Sequence, residues 1–206
     1  MIKRLAVLTV LSFSAATLHA VPITGSFSAF GADSFTNSTI TFGAATVQPT
    51  ILGTFATYLT PGNPIGFIPG PLPYTPGGTQ IAPPGLPAFF STTEAGETFS
   101  FFISSYNALY IPTGTGVGCA SGNTCLLVTG TGTFTGTGVV NYDASPGDFQ
   151  FDSSYVPGQA IGSVTTFAAQ TEAAGVTTPV PEPASLALFG SGLLGVVGLA
   201  RRKFMS

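Results

Sequence analysis

The chain has 206 residues and a formal net charge of −3, and only 6% of its residues are charged. The five basic residues all lie near the two ends, at Lys3, Arg4, Arg201, Arg202 and Lys203. The long stretch between them carries acidic residues only, which excludes nucleic acid as a partner, because phosphate binding needs Lys and Arg side chains. It also argues against anionic lipid headgroups and phosphorylated substrates as partners of this stretch.

The N-terminal residues have the three parts of a secretion signal. Lys3 and Arg4 precede an apolar run from Leu5 to Phe13, and the small residue Ala20 ends a Leu-His-Ala sequence. This pattern predicts a signal peptide over residues 1–20 that is cleaved after Ala20, with the general secretion machinery as its partner. A membrane anchor is the alternative, but the run is shorter than the roughly 20 apolar residues that a span needs.

Residues 21–178 alternate apolar with small polar side chains. Residues 38–42 alternate strictly, residues 148–152 do so again, and residues 98–103 nearly do. A period of two with Thr and Phe enrichment is typical of half-buried strands. We therefore expect an all-β fold, a single antiparallel β-sandwich or jelly-roll-like domain.

Three segments interrupt or modify this alternation. Residues 61–87 contain nine prolines and six glycines, which predicts a long loop without regular strands, either a binding loop or a surface crossover. The Gly-Thr repeat at 129–138 predicts a strand in which glycine relieves crowding. Ser145-Pro146-Gly147 predicts the turn of a hairpin.

Cys119 and Cys125 bracket a short segment with a Gly-Asn pair. In an exported protein this spacing predicts one disulfide across a loop, worth roughly 2 kcal/mol by loop-closure entropy. A zinc site is disfavoured, because the only His of the chain, His19, lies in the predicted signal peptide.

Asp143, Asp148 and Asp152 lie within ten residues of one another. They are weak candidates for a calcium site, because calcium takes several carboxylate and carbonyl oxygens. Solvent-facing acids at hairpin edges are the favoured alternative, and no cofactor is predicted.

Glu94 and Glu97 invite comparison with the paired carboxylates of glycosidases. We expect them in an exposed turn, where nothing would raise the pKa of an acid by desolvation. Residues 21–178 contain no His, Lys or Arg, which removes the Ser-His-Asp and Schiff-base chemistries. The prediction is a protein that is not an enzyme, and an anchored hydrolase using carboxylates alone is the least favoured alternative.

The C-terminal region 179–206 has three parts in order. Val180-Pro181-Glu182-Pro183 is followed by an uncharged segment over residues 184–200 and a basic tail over residues 201–206. The uncharged segment predicts a transmembrane helix of about 25 Å. Arg201, Arg202 and Lys203 act as a stop signal that keeps the tail in the cytoplasm, so the motif lies just outside the membrane.

This arrangement resembles the PEP-CTERM sorting domain over about the last 27 residues of the chain. The resemblance implies recognition of Val180, Pro181, Glu182 and Pro183 by exosortase, an inner-membrane processing enzyme of mostly Gram-negative bacteria that make extracellular polysaccharide. It implies an inner-membrane intermediate and then delivery to the cell surface or extracellular matrix. A plain C-terminal anchor with a proline-rich stalk is the alternative.

Two functions follow as expectations. The first is a structural, non-enzymatic component of the cell surface or biofilm matrix. The second is a carbohydrate-binding module that acts on extracellular polysaccharide. For this second function the tyrosines are expected to stack on sugars, namely Tyr58, Tyr74, Tyr106, Tyr110, Tyr142 and Tyr155.

Overall fold

The computed structural model describes residues 21–82, 85–114 and 119–175, and these contain twelve strands and one short helix. The elements are β1 (Val21–Pro22), β2 (Thr24–Phe35), β3 (Thr39–Ile51), α1 (Phe55–Tyr58), β4 (Pro64–Phe67), β5 (Leu72–Pro73), β6 (Thr79–Ile81), β7 (Phe90–Glu94), β8 (Glu97–Ile111), β9 (Thr124–Thr137), β10 (Tyr142–Asp143), β11 (Ser145–Tyr155) and β12 (Thr165–Ala174).

Ten of these strands form one antiparallel sheet that closes on itself. The order is β2-β12-β11-β9-β8-β7-β4-β3, and β3 pairs back with β2 to complete the ring. β5 extends the edge of β3 and β6 extends that of β8, while β1 and β10 form a separate parallel pair. The all-β antiparallel prediction is confirmed. The predicted sandwich takes the form of one continuous sheet wrapped around a single core.

The period of two in the sequence separates the inside of the sheet from the outside. On β11, Phe149, Phe151 and Tyr155 are buried, whereas Asp148 and Gln150, on either side of Phe149, are exposed. Phenylalanine rings fill most of the interior. The buried ones are Phe27, Phe35, Phe55, Phe89, Phe90, Phe99, Phe101, Phe134, Phe149, Phe151 and Phe167.

Glycines on β9 make room for these rings, as the Gly-Thr repeat predicts. A Cβ atom on Gly130 would overlap the ring of Phe149. One on Gly132 would lie 2.6 Å from the ring of Phe101, closer than real Cβ contacts allow. Threonine and glycine alternate here because the outer positions carry a β-forming residue while the inner positions have no space for a side chain.

The short helix α1 closes one end of the sheet with a single ring. Phe55 is fully buried, and its ring centroid lies 5.0 Å from those of Phe27 and Phe99 and 5.3 Å from that of Phe134. The three contacts have edge-on geometry, which aromatic pairs favour over a face-to-face arrangement. This single turn of helix, which follows β3, therefore packs against the core through Phe55.

The prediction of one long loop over residues 61–87 is wrong in part, because β4, β5 and β6 lie within it. All three are two to four residues long. Pro64 is the first residue of β4 and Pro73 the last of β5. Terminal positions tolerate a missing N–H, so proline shortens strands here without excluding them.

The predicted hairpin turn at residues 145–147 is wrong. Ser145, Pro146 and Gly147 belong to β11 and pair with β9. β12 pairs with β11 only from Gly147 onward. Pro146 therefore lies in the part of β11 that has a neighbouring strand on one side alone. Strands accept proline at such an edge, and the local turn preference yields to pairing with β9.

The predicted signal peptide over residues 1–20, with its cleavage site at Ala20, lies outside the described residues. The same holds for the sorting motif, the transmembrane segment 184–200 and the basic tail. Within the described ranges, no helix is long and apolar enough to cross a membrane.

We expect Gly130→Ala to lower the free energy of unfolding by about 1–3 kcal/mol, because the added methyl group overlaps the Phe149 ring in a packed interior. Gly66→Ala on β4 is the matched control, since its nearest neighbours would lie 3.9 Å from the new Cβ. Urea denaturation of both variants measures the difference. Equal stabilities would contradict the role assigned to the β9 glycines.

Candidate functional site

The outer face of the sheet carries a row of polar side chains that crosses six neighbouring strands. The row joins residues that are directly opposite in the strand register, from β2 through β12, β11, β9 and β8 to β6. Its members are Ser28, Gln170, Gln150, Thr129, Asn107 and Thr79. All of them carry a hydroxyl or an amide and none carries a charge.

A second row runs beside the first, one outward position further along each strand. It consists of Ser26, Glu172, Asp148, Thr131 and Ser105. The two rows, together with Thr50 of β3, line a groove of about 550 Å³ that we call the polar groove. The Ser105 and Thr131 hydroxyls hydrogen-bond to each other at 3.0 Å, which links β8 and β9 along it.

An exposed aromatic ring adjoins the polar groove. Phe30 of β2 is 48% exposed and borders a depression of about 370 Å³ that shares Ser28, Gln150 and Gln170 with the groove. Gln48 and Asp152 also line this depression, and partial burial raises the pKa of the Asp152 carboxyl. The depression therefore extends the groove and combines amides, one acid and one aromatic ring.

Two carboxylates oppose each other in the polar groove. Asp148 of β11 and Glu172 of β12 are directly opposite in the antiparallel register, and both are exposed. Like charges at such a position destabilise a sheet. The groove thus contains an arrangement that the fold alone does not favour.

The structure does not bring the three predicted calcium candidates together. Asp143 lies on β10, in the separate two-stranded pair. Asp148 and Asp152 share the outer face of β11, but four residues of strand separate them by roughly 13 Å. The described residues hold no group of three His, Cys, Asp or Glu side chains that could bind a metal.

Glu94 and Glu97 are directly opposite at the ends of β7 and β8. Glu94 accepts a hydrogen bond from the backbone N–H of Thr60 at 2.6 Å, and Glu97 accepts one from that of Val140 at 2.9 Å. The expectation of exposed turn carboxylates is wrong for Glu97, which is fully buried. Both side chains accept a hydrogen bond from a backbone N–H of a neighbouring loop, while the Oε1 atom of Glu97 has no partner among the described residues.

The expectation that the tyrosines form a sugar-stacking surface is wrong. Tyr74, Tyr106 and Tyr155 are buried, and the other three, Tyr58, Tyr110 and Tyr142, are half-buried. The exposed aromatic rings of the outer face belong instead to Phe30 and Phe102. The sequence does not single out Phe30, because β2 also contains Phe27 and Phe35, and these two rings are buried.

Asp33 is a buried acid that sequence reasoning missed. It is 2% exposed, accepts a hydrogen bond from the Ser153 hydroxyl at 2.9 Å, and its second oxygen has no partner among the described residues. Burial raises the pKa of Asp33 to about 6, and the Ser153 hydrogen bond partly opposes this. The sequence signal for its burial is the alternation along β2. Gly31 and Phe35, two residues before and after Asp33, point inward as well.

The predicted disulfide between Cys119 and Cys125 is present, with Cα atoms 5.8 Å apart. It joins β9 to the residues that precede it and lies away from the polar groove. Its role is therefore to hold the segment before β9, and it takes no part in the candidate site.

Fold and site together define a small all-β domain with a polar outer groove, followed along the chain by the separate C-terminal region. In that region, residues 179–203 match the family model described as the PEP-CTERM protein-sorting motif. The motif indicates an exported protein that exosortase targets to the cell surface, and it includes Val180, Pro181, Glu182 and Pro183. No curated protein and no solved structure matches the chain significantly.

The buried Asp33 predicts a specific pH dependence. Its carboxyl ionises near 3.8 in an unfolded chain and near 6 in the folded protein, so the folded state binds more protons between these values. The free energy of unfolding should therefore fall as pH rises from about 4 to about 6, by up to about 3 kcal/mol, and stay lower above that range.

Asp33→Asn should lack this decline, and Ser153→Ala should move its midpoint to higher pH, because the lost hydrogen bond opposes protonation. Urea denaturation at pH 4, 5, 6 and 7 measures both. Parallel pH curves for the wild type and Asp33→Asn would contradict the assignment.

Proposed function

We propose that this protein is a non-enzymatic component of the cell surface or extracellular matrix, exported by the general secretion machinery and sorted by exosortase. The observation that carries the proposal is the PEP-CTERM match at residues 179–203, which follows an all-β domain. A secretion signal at residues 1–20 is consistent with this route, because a C-terminal sorting signal acts only on a chain that has entered the secretion pathway.

The proposed route has two steps. The signal peptide is removed after Ala20, and residues 184–200 then hold the chain in the inner membrane of a Gram-negative bacterium, with residues 201–206 in the cytoplasm. Exosortase next acts at residues 180–183, outside the membrane, where prolines keep the backbone extended and free of helical hydrogen bonds. The domain is then delivered to the surface or matrix.

The placement of the acids supports a non-enzymatic role. Glu94 and Glu97 each bind a backbone N–H of a neighbouring loop. Asp33 is buried within the sheet, away from the groove. General acid–base chemistry needs a positioned group that reaches the substrate, and none of these three carboxyls faces the polar groove. The two that do, Asp148 and Glu172, are exposed on an open face of the sheet and have, among the described residues, no hydrogen-bond partner or enclosing wall to position them on a substrate.

The test is the joint replacement Pro181→Ala, Glu182→Ala and Pro183→Ala in a host that carries exosortase. We expect the variant to accumulate uncleaved in the membrane fraction and to disappear from the surface, because the recognised motif is lost while the apolar segment remains. Cell fractionation, with mass spectrometry of the C-terminal peptide, provides the measurement.

The matched control is Thr177→Ala with Thr178→Ala, which changes the same region outside the motif and should be sorted normally. Wild-type protein in a host lacking exosortase should behave like the triple variant. Surface delivery of the triple variant at the wild-type level would refute the sorting proposal.

A second candidate function is binding of extracellular polysaccharide. The specific observation in its favour is the polar groove, in which uncharged amides and hydroxyls from six strands lie beside the exposed ring of Phe30. This role is compatible with the first, because a matrix component can be retained by the polymer around it.

A further inference from the structure

We propose that the polar groove, extended by Phe30, binds an uncharged polysaccharide chain lying across the strands. This inference rests on the carbohydrate-binding role proposed above and assigns it a site, an orientation and a class of ligand. Four features of the groove carry it: its hydrogen-bonding groups, its aromatic ring, its length and its charge.

The hydrogen-bonding groups match a polyhydroxylated ligand. A side-chain amide offers both donors and an acceptor, and a hydroxyl group can act in either way, so amides pair with sugar hydroxyls in either orientation. Gln150 and Gln170 are adjacent in the register of β11 and β12, and both are exposed. Asn107 adds a third amide two strands away, with Thr129 between it and Gln150.

Phe30 supplies an exposed aromatic ring beside the groove, whose own aromatic lining residues, Phe27, Tyr106 and Phe149, are buried. Its ring lies one outward position beyond Ser28 on β2 and is 48% exposed. It pairs with Ala168 of β12, a small residue that leaves one face of the depression open. A large exposed ring beside hydrogen-bonding groups can bury the apolar face of a sugar while its hydroxyls reach the amides.

The length of the groove favours a polymer over a single sugar. Its first row crosses six strands, which at about 4.8 Å between neighbours spans roughly 24 Å. Sites for small molecules are typically enclosed pockets that bury most of the ligand. Here most of the lining residues are exposed or half-buried, so the groove is open to solvent and a chain can enter and leave at both ends.

The charge of the groove selects against anionic polymers. Asp148 and Glu172 lie in the second row, and Asp152 lines the adjoining depression. Residues 21–175 contain no Lys or Arg that could pair with a uronate or sulfate group. Charged groups of one sign repel a like-charged ligand strongly, so the groove favours an uncharged chain over an anionic one.

Affinity electrophoresis of the secreted protein tests the proposal. Native gels with EDTA contain one of three uncharged polysaccharides, namely hydroxyethylcellulose, laminarin or galactomannan, and a fourth gel contains alginate as the anionic comparison. We expect at least one uncharged polysaccharide to retard the protein and alginate to leave its mobility unchanged. Mobility against polysaccharide concentration gives the dissociation constant.

Two variants and two matched controls locate the binding site. The double variant Gln150→Ala with Gln170→Ala, and separately Phe30→Ala, should each weaken binding about tenfold or more, a loss of about 1.4 kcal/mol or more. Asn141→Ala removes an exposed amide away from the groove, and Phe102→Ala removes an outer-face ring that is 39% exposed and does not line it. Both controls should bind within about twofold of the wild type.

Phe30→Tyr keeps the ring and should retain binding, which separates loss of stacking from loss of folding. Thermal unfolding of every variant provides a second check on folding. Wild-type affinity in both groove variants would overturn the site while leaving polysaccharide binding intact. Absence of retardation in all three uncharged gels would overturn the binding role as well, and retardation by alginate would overturn the charge argument. None of these outcomes bears on sorting by exosortase.

Discussion

The packing of phenylalanine rings inside a closed sheet is the constraint on which the rest of the structure depends. The closed ring of eight strands encloses a limited volume, and large side-chain rings occupy it only if other inward positions are nearly empty. Gly132 of β9 and Gly147 of β11 meet that need at the same point, because they are directly opposite in the register. A Cβ atom on Gly147 would lie 2.6 Å from the ring of Phe134. The glycines therefore help to fix the register of β9 and β11.

This register in turn creates the outer groove. Because side chains alternate, fixing the inward positions of β9, β11 and β12 also fixes which residues point outward, and in which rows. Packing of the core does not determine which residue types occupy the outward positions, apart from their propensity to form strands. Gln150 and Gln170 lie side by side because Phe149 and Thr171 are paired beneath the surface. The hydrophobic core and the polar groove are two sides of one pairing pattern.

The sequence predicts the strands but not the groove, and the reason is physical. Alternation over residues 148–152 is local and survives in the structure, as does the Gly-Thr strand. The turn predicted at Ser145–Gly147 failed because pairing with β9 outweighed local turn preference. Ser28 and Gln170 are neighbours across two strands distant along the chain, and no spacing rule connects them. The disulfide was predictable, since its two cysteines are close in sequence.

The absence of basic residues between positions 5 and 200 leaves every carboxyl of the domain without a cationic partner. The fold deals with these groups in three ways. Asp33 is buried beside a hydroxyl, with its pKa raised to about 6, and Glu97 accepts a backbone N–H. Other carboxyls are exposed to solvent, as are Asp148 and Glu172, which lie side by side in the groove. Because neither is neutralised by a neighbouring cation, their charge acts on whatever approaches that face. A domain of this composition therefore repels anionic polymers and anionic membrane surfaces.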